Sequence, residues 1–274
     1  MRADLHVHSH YSDGSDSVEE VLQKARRNDI SHISFVDHDT TASLAEALTL
    51  GKQYGIEVIP GIEISAFDFK RNRKVHILGY GYNEKATHIQ ALCNPLLERR
   101  HRHSIWQIEQ IEQTGYELDR QSIFEYANMS NVIYKQHIMH SLTKHPFSSK
   151  DYQQLYQMLF KGGVAKGDIY YVDAIKAIQA IKADGGMAVL AHPGQLDSYD
   201  FVPALVEAGL DGIERNHFEH SEEDHFRVEQ LCEKYNLFMT GGSDYHGSYG
   251  RPMEVGELIS PKNKVNVKEN YTYR

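Results

Sequence analysis

Two histidines separated by one residue begin a set of side chains that could bind metal in this sequence. His6 and His8 lie in the run DLHVH, which has the alternation of a β-strand. Because successive residues of a strand point to opposite faces, both imidazoles fall on one face, where they can bind the same cation. Asp13 adds a carboxylate in the loop that follows. The pattern favours a divalent-metal site, although two exposed polar residues would give the same spacing.

Other acidic residues and histidines follow apolar runs further along the chain. The segments ISFVDHD, VIPGIE, MAVLAHPG and TGGSDYHG place, in that order, His38, Glu63, His192, Asp244 and His246. His76 lies inside the apolar run VHIL, where a buried core histidine is the more common interpretation. Because catalytic groups in such folds collect at the carboxyl ends of the strands, we expect six histidines and three carboxylates on one rim.

Nine nitrogen and oxygen ligands are too many for one metal ion. They suit two or three divalent ions, with Glu63 bridging two of them. Because the set contains no cysteine, it indicates Mn²⁺, Fe²⁺ or Zn²⁺ and not a structural thiolate site. Two ions about 3.5–4 Å apart can hold both the attacking and the leaving oxygen of an in-line displacement. The residues therefore favour metal-assisted hydrolysis.

The elements that must position these residues alternate between strands and helices in both halves of the chain. Strands are predicted at 4–7, 32–37, 56–59, 63–69, 75–82, 187–191, 212–215 and 237–240, and helices at 15–28, 41–54, 172–183, 202–208 and 222–235. This order predicts an α/β fold of parallel strands wrapped by helices, with one hairpin over 63–82. Residues 84–165 show helical periodicity alone, so we expect an all-helical insertion between core segments 1–83 and 166–274.

Composition limits the possible partners. The 274 residues carry a net charge of −9, with 29 Lys and Arg against 38 Asp and Glu, which argues against a general nucleic-acid surface but permits a local basic pocket. Two distant cysteines, Cys93 and Cys232, exclude a disulfide framework. Without a basic-then-apolar leader or a run of membrane-span length, we expect a cytoplasmic protein with no membrane partner. The polar tail after Gly256 is expected to pack across the base of the fold.

The motifs DLHVHS, SDG, VDHD, GIEIS, HILGY, LAHPG and GGSDYHG, in this order, resemble those of the PHP (polymerase and histidinol phosphatase) family. Within that family the chain is most similar to stand-alone bacterial phosphoesterases with a helical insertion. The resemblance runs from Asp4 to about Gly256. It implies a distorted (β/α)₇ barrel that binds up to three metal ions, with Mn²⁺ the expected metal. His76 is included among the ligands on the strength of its motif.

The resemblance also implies how the ligands are shared. One ion would be bound by His6, His8, Glu63 and Asp244; a second would share Glu63 and add His76 and His192; a third would use Asp13, His38 and His246. A hydroxide bridging the metals, held at Glu63, would attack phosphorus. Asp4 and Asp37 are expected to orient imidazoles through the ring nitrogen that faces away from the metal.

The substrate phosphate is expected under the insertion. Arg99, Arg102 and His103 lie within one helical turn and could meet a phosphate, although a solvated charged face is the commoner reason for such a run. The segment YKQH stands where relatives have Gly-Arg-Pro-His, so Lys135 keeps a charge without bidentate geometry, and His137 follows it. His217 is a candidate proton donor for the leaving alcohol, with an exposed loop histidine as an equal alternative.

The resemblance implies a metal-dependent phosphoesterase acting on a nucleotide: a 5′-nucleoside monophosphate, a 3′,5′-bisphosphate or a short RNA 5′ end. A base could stack on Tyr134, Phe147, Trp106 or Tyr171, although the core is the more common location for Trp106, which lies among isoleucines, and Tyr171 could equally belong to the core. The acidic net charge disfavours long nucleic acids. Three alternatives remain open: a histidinol-phosphate phosphatase, a binuclear amidohydrolase acting on C–N bonds, and a module that binds metal only for structure.

Overall fold

The computed structural model describes residues 2–262; the predicted packing of the polar tail falls largely on residues 263–274, which lie outside the described residues. The strands are β1 (Ala3–Val7), β2 (His32–Phe35), β3 (Glu57–Val58), β4 (Gly61–Asp68), β5 (Arg73–Tyr80), β6 (Val172–Asp173), β7 (Met187–Leu190), β8 (Gly212–Asn216) and β9 (Phe238–Gly241). The helices are α1 (Val18–Arg27), α2 (Leu44–Tyr54), α3 (Thr87–Glu112), α4 (Arg120–Tyr126), α5 (Lys135–Leu142), α6 (Lys150–Tyr156), α7 (Ala174–Ala183), α8 (Pro193–Leu196), α9 (Val202–Glu207) and α10 (Glu222–Tyr235).

The strands form two sheets of an α/β fold. A three-stranded parallel sheet has the order β1-β2-β3, and a six-stranded sheet has the order β6-β4-β5-β7-β8-β9. The predicted hairpin is present as β4 and β5, and β5 is also antiparallel to β7, so the second sheet is mixed. The sheets meet where the Asp244 N–H donates to the His6 carbonyl at 2.8 Å and the Glu63 N–H donates to the Val36 carbonyl at 3.1 Å. The carboxyl ends of β1, β2 and β9 therefore lie beside the start of β4.

Helices cover the outer faces of both sheets because their apolar residues recur at helical spacing. In α1, the buried residues Val18, Val21, Leu22 and Ala25 share one face. Ser17 begins this helix with a capping box, in which its hydroxyl accepts the Glu20 N–H and the Glu20 carboxylate accepts the Ser17 N–H. Between the sheets a separate cluster, with Leu5, Leu78 and Val189 among its members, fills the interior beneath the strand ends.

All regular secondary structure described between β5 and β6 is helical, in agreement with the helical periodicity of this segment. They enclose their own apolar cluster, built around Ile108, Ile111, Ile138 and Phe160. The predicted helix at 172 begins two residues later, because Val172 and Asp173 pair with β4 as β6 and the Asp173 carboxylate then caps α7. Among residues 2–262 no helix combines the length and the apolar character needed to cross a bilayer.

Candidate metal centre

The carboxylate of Glu63 lies at the centre of the predicted ligand set and is buried. Its Oε1 atom lies 2.8 Å from His76 Nδ1 and 2.9 Å from His192 Nε2. Its Oε2 atom faces three further imidazole nitrogens: His8 Nε2 at 3.2 Å, His6 Nε2 at 3.3 Å and His38 Nδ1 at 3.4 Å. One carboxylate therefore contacts five of the six predicted histidines, which is the arrangement that a bridging ligand requires.

Two further carboxylates complete the cluster. Asp244 Oδ1 lies 3.2 Å from His6 Nε2 and 3.3 Å from His8 Nε2. Asp13 Oδ1 lies 3.3 Å from His246 Nε2, and Asp13 Oδ2 lies 3.9 Å from His38 Nε2. The structure thus brings together all nine residues that the sequence places on one rim.

The ligand atoms fall into four overlapping groups in which all atoms lie within 4.8 Å of one another. The groups are His8, Asp13, His38 and His246; His6, His8 and Asp244; His6, Glu63 and His192; and His38, Glu63 and His76. The first contains the predicted set for a third ion with His8 added. His76 and His192, which were predicted to share an ion, fall in different groups, although both contact Oε1 of Glu63.

These residues fit divalent cations. Both ring nitrogens of His8, Nδ1 of His38 and Oδ1 of Asp13 are buried without a hydrogen-bond partner in the described part of the chain. Leaving a buried polar group unpaired costs about 1–3 kcal/mol, and a bound cation would remove that cost. Imidazole nitrogens mixed with carboxylate oxygens, without thiolate, are typical of Mn²⁺, Fe²⁺ and Zn²⁺.

The carboxylates of the cluster are held ionised. Burial alone would raise the pKa of Glu63, but the neighbouring His38, His76 and His6 hold the pKa of this carboxyl well below its usual range. Burial likewise opposes ionisation of Asp244, and the neighbouring histidines outweigh it and lower its pKa. The carboxylates are therefore ionised and able to bind cations.

Unusual backbone geometry positions several of these residues. Asp39, His192 and Asp244 have backbone φ angles of 61°, 22° and 50°, a region that residues other than glycine seldom occupy. Such residues cost on the order of 1–3 kcal/mol each and concentrate at functional sites. Gly242 permits a close approach instead: a Cβ atom there would lie 2.4 Å from the His6 backbone nitrogen. This glycine lets the end of β9 reach β1, so that Asp244 can meet His6 and His8.

Glu214, which was not among the predicted site residues, orients two of the histidines. It is buried in β8; its Oε1 lies 2.9 Å from His6 Nδ1, and its Oε2 accepts the His192 N–H at 2.9 Å. Carboxylates commonly hold a metal-binding imidazole through its second nitrogen in this way. A glutamate inside the strand predicted at 212–215 was the available signal.

The expected roles of Asp4 and Asp37 are corrected by the structure. Asp4 accepts hydrogen bonds from the Ser243 N–H, the Ser243 hydroxyl and the Gly256 N–H, and burial raises its pKa to about 6 against these bonds. Asp37 accepts bonds from the Ser9 N–H and from the hydroxyls of Ser9 and Ser12. Within residues 2–262 neither carboxylate bonds to an imidazole ring, because each lies behind the strand end and ties loop backbone and serines together.

His217 is buried, so the alternative of an exposed loop histidine is wrong. Its Nδ1 accepts the Glu219 N–H at 3.2 Å, which leaves the ring proton on Nε2, 3.2 Å from Asp244 Oδ2. That proton is directed at a candidate ligand, a geometry that orients Asp244. Proton donation by His217 to a leaving group stays a prediction.

The residues predicted to bind phosphate lie in different places. Arg102 is 70% exposed and pairs with Glu98, and Arg99 donates to the Tyr170 carbonyl, so both face away from the inward side of α3. His103 stacks on Trp106, with ring centroids 5.2 Å apart. The inward residue of this run is Arg100, which the sequence analysis did not select and which bonds to Asp39.

The YKQH segment does face the centre, through a residue that was not selected. Gln136 donates to Asp13 Oδ2 at 2.7 Å. Lys135 lies partly buried at the start of α5, and burial lowers its pKa to about 8. His137 is fully buried, with Nδ1 accepting the Tyr134 N–H at 3.2 Å, so it caps α5 and does not present a free imidazole to a phosphate.

Most of the aromatic residues predicted to stack on a base are buried or packed against other side chains. Tyr134 and Tyr171 are buried, and Phe147 packs against the apolar cluster of the helical segment. Trp106 is 38% exposed and therefore does not belong to the core. None of these positions by itself indicates a nucleobase site.

The chain is similar to proteins of known activity along nearly its whole length. The PHP domain family model matches residues 4–162. A phosphoribosyl 1,2-cyclic phosphate 1,2-diphosphodiesterase of Eggerthella lenta is 52% identical over 257 residues, which cover 93% of this chain and 98% of that protein. A 3′,5′-nucleoside bisphosphate phosphatase of Chromobacterium violaceum is 28% identical over 94% of this chain and 92% of its own length.

Solved structures with the same architecture include a Bifidobacterium adolescentis protein assigned as a metal-dependent phosphoesterase. It superposes with a TM-score of 0.85 and 25% identity, covering 94% of this chain and 92% of that one. A Chromobacterium violaceum protein described as an amidohydrolase, solved with bound sulfate and no metal, has a TM-score of 0.83 and 26% identity, covering 94% and 91%. Matches of this extent include most of residues 84–165.

Proposed function

This chain belongs to the PHP domain family, and from that premise we propose that it opens the 1,2-cyclic phosphate of a phosphorylated ribose. The chain is a phosphoesterase, as the family resemblance implied. The gathering of five imidazoles around the Glu63 carboxylate supports the reaction class. The choice of substrate is supported by the Eggerthella lenta relative, whose length is matched almost completely.

Three Mn²⁺ ions are the proposed occupants of the centre. Glu63 would be shared between the set with His6, His8 and Asp244 and the set with His76 and His192, and the third set would be Asp13, His38 and His246. When bound, such ions lower the pKa of water and neutralise phosphate oxygens. The group of Asp13, His38 and His246 with His8 supports the third set, and the unpaired buried nitrogens support cation binding in the cluster.

The chain's own residues fix the geometry of the reaction. Glu214 bonds to the His6 ring and to the backbone N–H of His192, and His217 bonds to Asp244. The ligands at the ends of β1, β7 and β9 are therefore oriented before substrate binds. In the reaction, water attacks phosphorus and one ring P–O bond breaks. One proton of that water ends on the released ribose hydroxyl, and the phosphate remains as a monoester on the neighbouring oxygen.

A second phosphate of the substrate is proposed to bind at Lys135. This ammonium is partly buried near the cations Lys74, Lys161 and Arg100, and the nearby Asp168 carboxylate is paired with Lys74. Desolvation and the three cations outweigh the attraction of Asp168 and lower the pKa of Lys135 to about 8, which a bound anion would reverse. Both named relatives act on a ribose that carries phosphate at two places, as such a pocket requires.

A 3′,5′-nucleoside bisphosphate is the second candidate substrate, because the Chromobacterium violaceum phosphatase also matches over nine-tenths of both chains. A short RNA 5′ end is related to it, since a Haemophilus influenzae 5′-3′ exoribonuclease is 27% identical over 93% of each chain. Amide hydrolysis is disfavoured, because Glu63 is the proposed bridging ligand, whereas that alternative requires a modified lysine in the bridging role.

The two sheets are proposed to form the distorted (β/α)₇ barrel, with residues 1–83 and 166–274 as its core and 84–165 as a cap over the rim. The backbone bonds between the sheets support the first part. Two bonds from the helical segment support the second: Tyr134 Oη donates to the His38 carbonyl at 3.0 Å, and Gln136 donates to Asp13.

The test is a substrate panel followed by ³¹P NMR on the full chain reconstituted with Mn²⁺. It compares 5-phosphoribosyl 1,2-cyclic phosphate, adenosine 3′,5′-bisphosphate, AMP and histidinol phosphate, together with an amide substrate. We expect the cyclic phosphate signal to be replaced fastest by a monoester signal, and the Glu63→Gln variant to turn over at least about 100-fold more slowly. Preference for histidinol phosphate or amide turnover without phosphoester cleavage would overturn the proposal.

A further inference from the structure

A buried ion pair links helix α3 to the loop that carries His38. Arg100 Nη2 donates to Asp39 Oδ2 at 2.6 Å, and the same nitrogen donates to Ser65 Oγ at 2.9 Å. The Arg100 side chain is 17% exposed and the Asp39 side chain is fully buried. Because the pair is desolvated, its geometry is far better defined than that of a surface ion pair.

Asp39 fastens its loop to the strand that carries Glu63. It directly follows His38 in the left-handed region, its Oδ1 accepts the Ser65 N–H at 2.7 Å, and its own N–H donates to the Glu63 carbonyl at 2.9 Å. The side chain and the backbone of one residue therefore set how far the His38 ring lies from the Glu63 carboxylate.

A second route from Arg100 reaches His38 itself. The guanidinium lies over the ring of Tyr134 at 5.1 Å, and the hydroxyl of Tyr134 donates to the His38 carbonyl at 3.0 Å. Tyr134 is buried and begins α5, so the contact cannot move without moving that helix. Arg100 therefore restrains the peptide between His38 and Asp39 in two ways: it bonds to the Asp39 carboxylate, and it packs on Tyr134, which bonds to the His38 carbonyl.

We propose that Arg100 is a positioning residue of the metal centre, which sets the orientation of His38 through Asp39 and Tyr134. Cation affinity in the groups that contain His38 then depends on helix α3, which lies outside the strands that supply the ligands. The inference rests on the metal centre of the proposed function and is independent of the substrate.

The chemistry of the guanidinium explains why arginine stands here. Its planar fork can bond to Asp39 and Ser65 while its face stacks on Tyr134, whereas a lysine ammonium offers a point charge without a stacking face. Loss of an outer contact to a metal-binding histidine typically lowers metal affinity about 10–100-fold. A lysine substitution should fall between the wild type and a neutral variant.

The experiment is calorimetric titration of the metal-free full chain with Mn²⁺, with Mn²⁺ EPR spectra of the loaded samples. Arg100→Gln should weaken one class of Mn²⁺ sites about 10–100-fold and change the spin-coupled EPR signal, and Arg100→Lys should weaken it less. Arg99→Gln is the matched control: among residues 2–262 the side chain of this neighbouring arginine bonds to the Tyr170 carbonyl alone, so its loss should leave the titration unchanged.

Should Arg100→Gln not fold, as judged by circular dichroism, Tyr134→Phe decides, because it removes only the hydroxyl that bonds to the His38 carbonyl. We expect it to weaken the same class of sites several-fold. Wild-type affinity and stoichiometry in the folded variant would overturn the inference, as would a wild-type chain that binds no Mn²⁺. A chain that shows the expected Mn²⁺ changes but cleaves no phosphoester would support the inference and overturn only the proposed function.

Discussion

Replacing Glu214 by glutamine should uncouple two histidines of the metal centre. Its two carboxylate oxygens are both used, one by His6 Nδ1 and the other by the His192 N–H, each at 2.9 Å. Glutamine keeps the shape but has only one oxygen. In either orientation of the glutamine amide, its NH₂ group faces the His6 Nδ1–H or the His192 backbone N–H, and that donor loses its acceptor.

The size of the effect follows from that mismatch. Leaving one buried donor unpaired costs about 1–3 kcal/mol, so the free energy of unfolding of the metal-free chain should fall by that amount. Loss of the orienting carboxylate should also lower Mn²⁺ affinity about 10–100-fold, which corresponds to about 1.4–2.7 kcal/mol. The first effect acts on stability and the second on binding, so the two can be measured separately.

Urea unfolding followed by circular dichroism measures the first effect, and Mn²⁺ titration calorimetry measures the second. Glu229→Gln is the matched control, because Glu229 is 45% exposed and pairs with Arg215 at the surface, where loss of an ion pair costs at most about 1 kcal/mol. If Glu214→Gln unfolded at the wild-type urea concentration and bound Mn²⁺ with wild-type affinity, the assignment of Glu214 as the residue that orients His6 would be wrong.

Three further changes test other parts of the site. Glu63→Gln should lower kcat at least about 100-fold and remove Mn²⁺ sites in titration calorimetry, because a neutral amide cannot replace the carboxylate between two ligand groups; unchanged stoichiometry would contradict a bridging role. Lys135 should make KM depend on pH: its pKa is lowered to about 8, so the ammonium is present below that pH and lost above it, and KM should rise about tenfold between pH 7 and pH 9. In Lys135→Arg, which stays charged, the ratio of KM values at pH 9 and pH 7 should stay near one, and a rise equal to that of the wild type would exclude Lys135 as its cause. His217→Ala should weaken Mn²⁺ binding about tenfold by releasing Asp244, whereas a pure proton donor would lower kcat without changing the Mn²⁺ titration.

Much of the site could be predicted from the sequence because its signals are local. His6 and His8 owe their common face to strand alternation, and Glu63, His192 and Asp244 each follow an apolar run that ends at the rim. Strand alternation and apolar runs each involve only a few neighbouring residues, so they can be recognised without knowledge of the fold. Helical periodicity between residues 84 and 165 is local in the same sense. Eight of the nine gathered residues and metal-assisted hydrolysis were therefore accessible from local signals, whereas His76 and the phosphoesterase class came from the family resemblance.

What the tertiary structure alone decided depends on contacts between distant residues. Glu214 lies 208 residues from His6, and the pairing of β8 with β9, whose end bonds to β1, brings it to that ring. Asp4 and Asp37 carry the same carboxylate as Glu214, yet their positions behind the strand ends give them serines and backbone N–H groups as partners. Chemistry in the sequence does not distinguish these three residues.

The run of arginines on α3 shows the same limit. Each step along a helix turns by about 100°, so Arg99, Arg100 and Arg102 point in different directions, and the packing of the whole helix decides which of them faces inward. The sequence determined that cations would lie on this helix. Only the packing of α3 against Asp39 and Tyr134 selected Arg100, because burial of a charge is settled by the partners that surround it.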